Sequence, residues 1–137
     1  MADLIRKVAY FKTETPNRAG EGARVLGALK GAGVNLFAFT GFPRGRRAQM
    51  DFIPENSAAF KKAAKKAGLK VGAQKTCFLV QGEDKRGAVA GVMEKLARAR
   101  INVIAMDAVS AGKGRYGAIF WVKPGDVKKA AKTLGAK

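Results

Sequence analysis

The chain has 137 residues, 47% of them hydrophobic, and carries 27 Lys and Arg against 10 Asp and Glu, a net charge of +17 with no histidine. This composition belongs to a compact globular protein and excludes a disordered or fibrous one; no stretch is apolar over the roughly 20 residues that cross a bilayer, so no membrane partner is expected. With no histidine, one cysteine and scattered acids, the sequence offers no metal site, no cofactor motif and no catalytic group, and the expectation is a protein that is not an enzyme.

The N-terminal residues Met1–Lys7 lead directly into strand-like sequence without the apolar run of a signal peptide, which predicts a cytoplasmic protein. Lys7–Thr13, rich in β-branched and aromatic residues, reads as a first strand. Val25, Leu26 and Leu29 have the spacing of an amphipathic helix. Val34–Phe42 is an apolar run of strand length that turns at Gly45 into a further strand, Gln49–Ile53. Residues 57–67 form a second helix ended by Gly68, and Leu69–Val71 begins a short last strand. The order then recurs: strand Lys75–Gln81, helix around Val92, Met93 and Leu96, strand Ile101–Val109, turn at Gly112, strand Tyr116–Val122, and helix 124–134 between Pro124 and Gly135. The only cysteine, Cys77, falls among apolar strand residues and reads as a buried hydrophobe.

The recurrence is a repeat. Residues 4–70 shifted by 67 land without a gap on 71–137, so that Phe11 meets Phe78, Gly20 meets Gly87, Leu29 meets Leu96 and Asn35 meets Asn102. Each copy is βαββαβ, with the last strand of the second copy stunted or missing. The expected fold is therefore α+β, two tandem ferredoxin-like βαββαβ domains over residues 1–72 and 73–137, each an antiparallel sheet with helices on one face. In the second strands Phe37 and Phe39, like Ile104 and Met106, define one apolar face, while Leu36 and Ala38, like Val103 and Ala105, make the other face apolar too. Both faces are thus expected to be buried, one under helices and one against another sheet, either between the halves or in a homodimer.

The segments Asn17-Arg18-Ala19-Gly20 before the first helix and Gly33-Val34-Asn35-Leu36 opening the second strand, with twins Asp84-Lys85-Arg86-Gly87 and Ile101-Asn102-Val103, resemble the ACT domain. The resemblance covers the whole chain as a tandem pair; Ala19 and Arg86 stand where that family carries proline before the loop glycine. It implies a stand-alone regulatory or sensor protein that binds a small ligand, usually an amino acid, at the seam between two such domains and passes an allosteric signal to a separate enzyme or regulator. The implied ligand-binding residues are Asn17, Ala19, Gly20, Asn35, Asp84, Arg86, Gly87 and Asn102, with Asn17 paired to Asn102 and Asp84 to Asn35. The chemistry suits the ligand. A helix start offers unpaired N–H groups and a positive dipole end to a carboxylate, glycine permits close approach, and Asn or Asp can accept from an ammonium. The alternative for Asn17 and Asp84 is an ordinary N-cap, and for the strand asparagines an ordinary turn residue.

The charge stands apart from this reading, and both repeats share it, +9 over residues 1–70 and +8 over 71–137. A basic RNA- or DNA-binding protein on a ferredoxin-like fold is the alternative, with Arg44, Arg46, Arg47, Lys113 and Arg115 at the hairpin tips as anion contacts. The lysines at 61, 62, 65 and 66, and at 128, 129 and 132, fall on the solvent side of the second helices.

Overall fold

A computed structural model describes residues 3–137. The chain falls into two compact units, one of residues 9–75, the other of residues 76–137 with the N-terminal run up to Val8. The first strand, β1 (Leu4–Pro16), runs through both.

In the unit of residues 9–75, β1 from Ala9 onward is followed by α1 (Glu21–Gly31), β2 (Leu36–Arg44), β3 (Arg47–Pro54) and α2 (Ser57–Lys66). The strands lie in the order β2-β3-β1, all antiparallel, with Phe11 opposite Phe52 and Pro16 opposite Arg47. Alternate residues of a strand share a face, so Phe11, Met50 and Phe52 point together at the buried stripe of α1 (Val25, Leu29) and of α2 (Phe60, Ala63, Ala64). The Phe60 ring closes this core, 4.9 Å from Phe11 and 5.3 Å from Phe52 between centroids. Asn56 caps α2 by accepting from the Ala59 N–H at 3.0 Å, and Gly68 leaves it in the left-handed conformation (φ 72°). The expected last strand is reduced to a bridge of Val71 to Thr13.

In the other unit β4 (Lys75–Glu83), α3 (Ala88–Arg98), β5 (Val103–Gly112), β6 (Arg115–Val122) and α4 (Val127–Leu134) repeat the pattern, a short 3-10 turn at Pro124–Asp126 leading into α4. The strand order is β1-β4-β6-β5, and Phe78 stacks on Phe120 at 5.0 Å over Val92, Leu96, Ala130 and Ala131. Leu4–Val8 takes the place beside β4 that the truncated second repeat leaves open. Ile5 enters the core, the Arg6 guanidinium donates to Gln81 at 3.0 Å, the Tyr116 hydroxyl donates to Asp3 at 2.9 Å, and Lys137 exchanges backbone bonds with Ile5 and Lys7 (3.1 and 2.9 Å).

Two expectations are corrected. The repeat is not gapless through the third strands. Phe11 faces Phe52 whereas Phe78 faces Phe120, so β3 and β6 correspond with an offset of 68, and the extra residue is absorbed at an irregularity between Ser110 and Gly112. A slip of one residue would turn every side chain of β6 to the wrong face, and the bulge prevents it. Nor are both faces of the second strands buried. β2 and β5 end their strand orders, paired on one side only, and Phe39 (36%) and Ile104 (56%) are exposed. Cys77 is buried, while Trp121 is only half-buried.

Gly82 lies where any side chain would collide. A Cβ there meets the Asp3 carboxylate and comes within 2.9 Å of the Tyr116 ring. Gly82→Ala is therefore expected to destabilise the protein by about 1–3 kcal/mol, measured as a lowered midpoint in urea unfolding.

Candidate functional site

Each unit carries a loop between its central strand and first helix, and in each the loop is tied to the tip of the neighbouring hairpin. The Asn17 N–H donates to the Arg46 carbonyl at 3.2 Å, and the Asp84 N–H to the Gly114 carbonyl at 2.8 Å. The register explains this, since Pro16 and Arg44 both lie opposite Arg47, and Glu83 and Gly112 both lie opposite Arg115. The expected loop residues and the basic tip residues thus share one end of each unit.

Asn35 and Asn102 lie at the other end. The Asn35 amide donates to the Glu55 carboxylate at 2.7 Å, and its carbonyl accepts from the Glu55 N–H at 3.0 Å, beside the Leu36–Pro54 pairing. Asn102 precedes Val103, which pairs with Val122. From Arg47 to Pro54 the strand covers about 23 Å at ~3.3 Å per residue, so neither asparagine reaches the loop of its own unit.

The N-cap reading of Asn17 and Asp84 is also set aside by the geometry. The caps are Gly20 (φ 90°) and Gly87 (φ 77°), both left-handed, and neither helix receives a side-chain cap bond. The first N–H groups of α1 and α3 are therefore left to whatever lies at the helix start. Arg18, Ala19, Lys85 and Arg86 are exposed in these loops.

At α3 a cavity of about 270 Å³ opens, lined among others by Asp84, Lys85, Gly87, Ala88, Ser110 and Tyr116. Asp84 presents a carboxylate whose Oδ2 accepts from the Ser110 hydroxyl at 2.8 Å, which orients it; Lys85 and the uncapped helix start supply the opposite charge. Burial and the bond to Asp3 push the Tyr116 phenol up to about 12. The site thus offers an acceptor for a cation and a donor set for an anion side by side. Ser110 and Tyr116 were not legible as site residues, because only the hairpin register brings them to the loop.

At α1 the helix begins with Glu21, which is 8% exposed. Arg24 donates to it at 3.1 and 3.4 Å and Arg18 lies 3.7 Å away. The Arg24 hydrogen bond, with the charges of Arg24 and Arg18, holds the Glu21 carboxyl below its usual value of 4.5 against the opposing effect of burial.

Of the basic tip residues, Arg44 donates to Gln49 at 3.0 Å and Arg47 to the Glu14 carbonyl at 3.2 Å, while Arg46 and Lys113 are exposed and Arg115 pairs opposite Glu83. Among the described residues no group of three or more Cys, Asp or Glu could hold a metal ion, and no helix is long and apolar enough to cross a membrane.

This α+β fold is that of known regulatory proteins. The regulatory subunit of aspartate kinase from Thermus thermophilus, solved ligand-free, superposes with a TM-score of 0.62 at 14% identity, over 98% of this chain and 95% of that one. The corresponding subunit from Thermus flavus gives 0.59 at 16% identity over 98% and 94%. A protein from Bacteroides thetaiotaomicron gives 0.80 at 16% identity over 97% and 88%. No protein-family model matches the sequence, and no curated protein is significantly similar to it.

Two titrations follow. The depressed Glu21 contributes stability that is complete above about pH 4.5 and lost as pH falls through its lower folded value, so Glu21→Gln should lower the melting temperature at neutral pH and converge with the parent in acid. The raised Tyr116 contributes stability that is complete below pH 10 and lost as pH rises toward 12. The ultraviolet phenolate titration should accordingly show one tyrosine ionising late, and Tyr116→Phe should remove that step.

Proposed function

We propose that this protein is a stand-alone regulatory sensor, not an enzyme, that binds a small amino acid at its ACT-like loops and signals to a separate enzyme or regulator. The observation that carries this reading is the cavity at the start of α3. It places the Asp84 carboxylate, oriented by Ser110, beside the uncapped N–H groups of Gly87 and Ala88 and beside Lys85. An α-amino acid carries its ammonium and carboxylate about as close together as these two groups, and a cavity of about 270 Å³ admits one. The resemblance of the Asn17–Gly20 and Asp84–Gly87 segments to ACT loops supports it, as does the fold shared with aspartate kinase regulatory subunits.

In this reading the two repeats, residues 1–72 and 73–137, are two ACT-like domains of a cytoplasmic homodimer. Arg86 adds positive charge to the anion side of the site. Asn35 and Asn102, remote from their own loops, meet loops of a second chain, and ligand changes the pairing that the regulated partner reads.

A thermal-shift screen against the twenty standard amino acids tests this. A ligand at about a hundred times its dissociation constant should stabilise the fold by roughly 2.7 kcal/mol, a rise of several degrees. The rise should be specific to one or a few amino acids and abolished by Asp84→Ala. A shift given only by single-stranded RNA or duplex DNA and lost in high salt would instead make the basic surface the function.

A further inference from the structure

The two repeats carry the same loop and the same left-handed glycine, and they differ most in the first residue of the helix that follows. In the first repeat this is Glu21, a carboxylate that is 8% exposed and gripped by Arg18 and Arg24. It stands at the positive end of α1, where an anion is stabilised by the helix dipole and by N–H groups that no side chain caps. In the second repeat the same position is Ala88, the place of Arg24 is taken by Gly91, and Arg18 is replaced by Lys85. α3 has neither a side-chain cap nor an acidic residue in its first turn. Ala88 and Lys85 instead line the cavity, and the residues facing them from β5, Val109 and Ser110, replace Phe42 and Pro43.

The first repeat therefore serves as an internal control for the second. It shows what this loop holds when a carboxylate is covalently supplied, and the second repeat has the same cradle with that carboxylate deleted and a cavity beside the deletion.

We infer that Glu21 is a built-in surrogate ligand that closes the loop of the first repeat, and that of the two loops only the one at Ala88 is open, so that each chain binds one small carboxylate-bearing amino acid. This rests on the amino-acid reading above and gives it a stoichiometry. The ligand carboxylate takes at α3 the place that the Glu21 carboxylate holds at α1, and its ammonium faces Asp84. Lys85 replaces the monodentate Arg18 contact. The small residues Ala88 and Gly91 leave the room that Glu21 and Arg24 fill in the twin.

The test is isothermal titration of the full-length chain with the standard amino acid that gives the largest thermal shift. The expected result is one equivalent bound per chain. Ala88→Glu, which transplants the surrogate, should weaken binding by at least on the order of a hundredfold through like-charge repulsion. Glu21→Ala, which makes the first loop resemble the second, should add a second equivalent. Two equivalents in the parent chain would overturn the surrogate while leaving the sensor reading intact, whereas no binding of any standard amino acid would overturn both. If Ala88→Glu binds as the parent does, the open site is not at α3 and the inference fails. Should that variant not fold, Glu21→Ala decides alone, since a count that stays at one contradicts the role of Glu21.

Discussion

The aromatic pair at the middle of each unit sets the terms for everything around it. Phe11 opposite Phe52 and Phe78 opposite Phe120 fix which residues of the central strands face the helices, and with that the register of the hairpin next to them. Register then decides what reaches the helix start. Because Glu83 and Gly112 are both opposite Arg115, the loop after β4 meets the β5–β6 turn, and Ser110 comes within hydrogen-bond distance of Asp84. In the second repeat the pair is kept at the cost of a bulge, since the residue in line with Phe52 at the offset of the rest of the repeat is Ile119, not Phe120. Packing a stacked ring pair of this size outweighs the disruption of one ladder step.

Much of this was legible in the sequence. The order of strands and helices, the buried stripes Val25/Leu29 and Val92/Leu96, the left-handed stops at Gly68 and Gly135 and the burial of Cys77 all follow from periodicity and local conformational preference. These are short-range properties, and the two repeats constrain one another. What periodicity does not encode is which strand lies at an edge. β2 and β5 are as apolar as central strands, so Ile104 and Phe39 read as core although they are exposed. The one-residue slip in β6 was hidden for a related reason, because neighbouring apolar residues at 118–122 satisfy either register and only the partner strand chooses between them.

The site was legible in part. The loops Asn17–Gly20 and Asp84–Gly87 and the basic tips were recognisable as places for an anion, and the structure puts loop and tip at the same end. The asparagines Asn35 and Asn102 share the repeat but not the location, being a strand length away. Glu21 and Ala88 carry the chief asymmetry between the repeats, yet a comparison that looks for agreement between two copies passes over the position where they disagree. The difference acquired meaning only when Glu21 was found buried and ion-paired while Ala88 lined a cavity. The charge of +17, shared by both repeats, lies largely on exposed helix faces and hairpin tips, where the nearest polar partners are backbone carbonyls and amides, not acids.

The bonds between Lys137 and the pair Ile5 and Lys7 have a consequence for how the protein is made. The unit of residues 9–75 is contiguous and can form while the ribosome is still extending the chain, as N-terminal parts of proteins generally do. The other unit needs the earliest-made strand residues and residue 137 at once, which are separated by nearly the whole chain, and contacts of such long sequence separation form slowly. The segment Leu4–Val8 must therefore wait through synthesis with Ile5 in water, so that the last step of biogenesis is the capture of the first piece of chain to emerge.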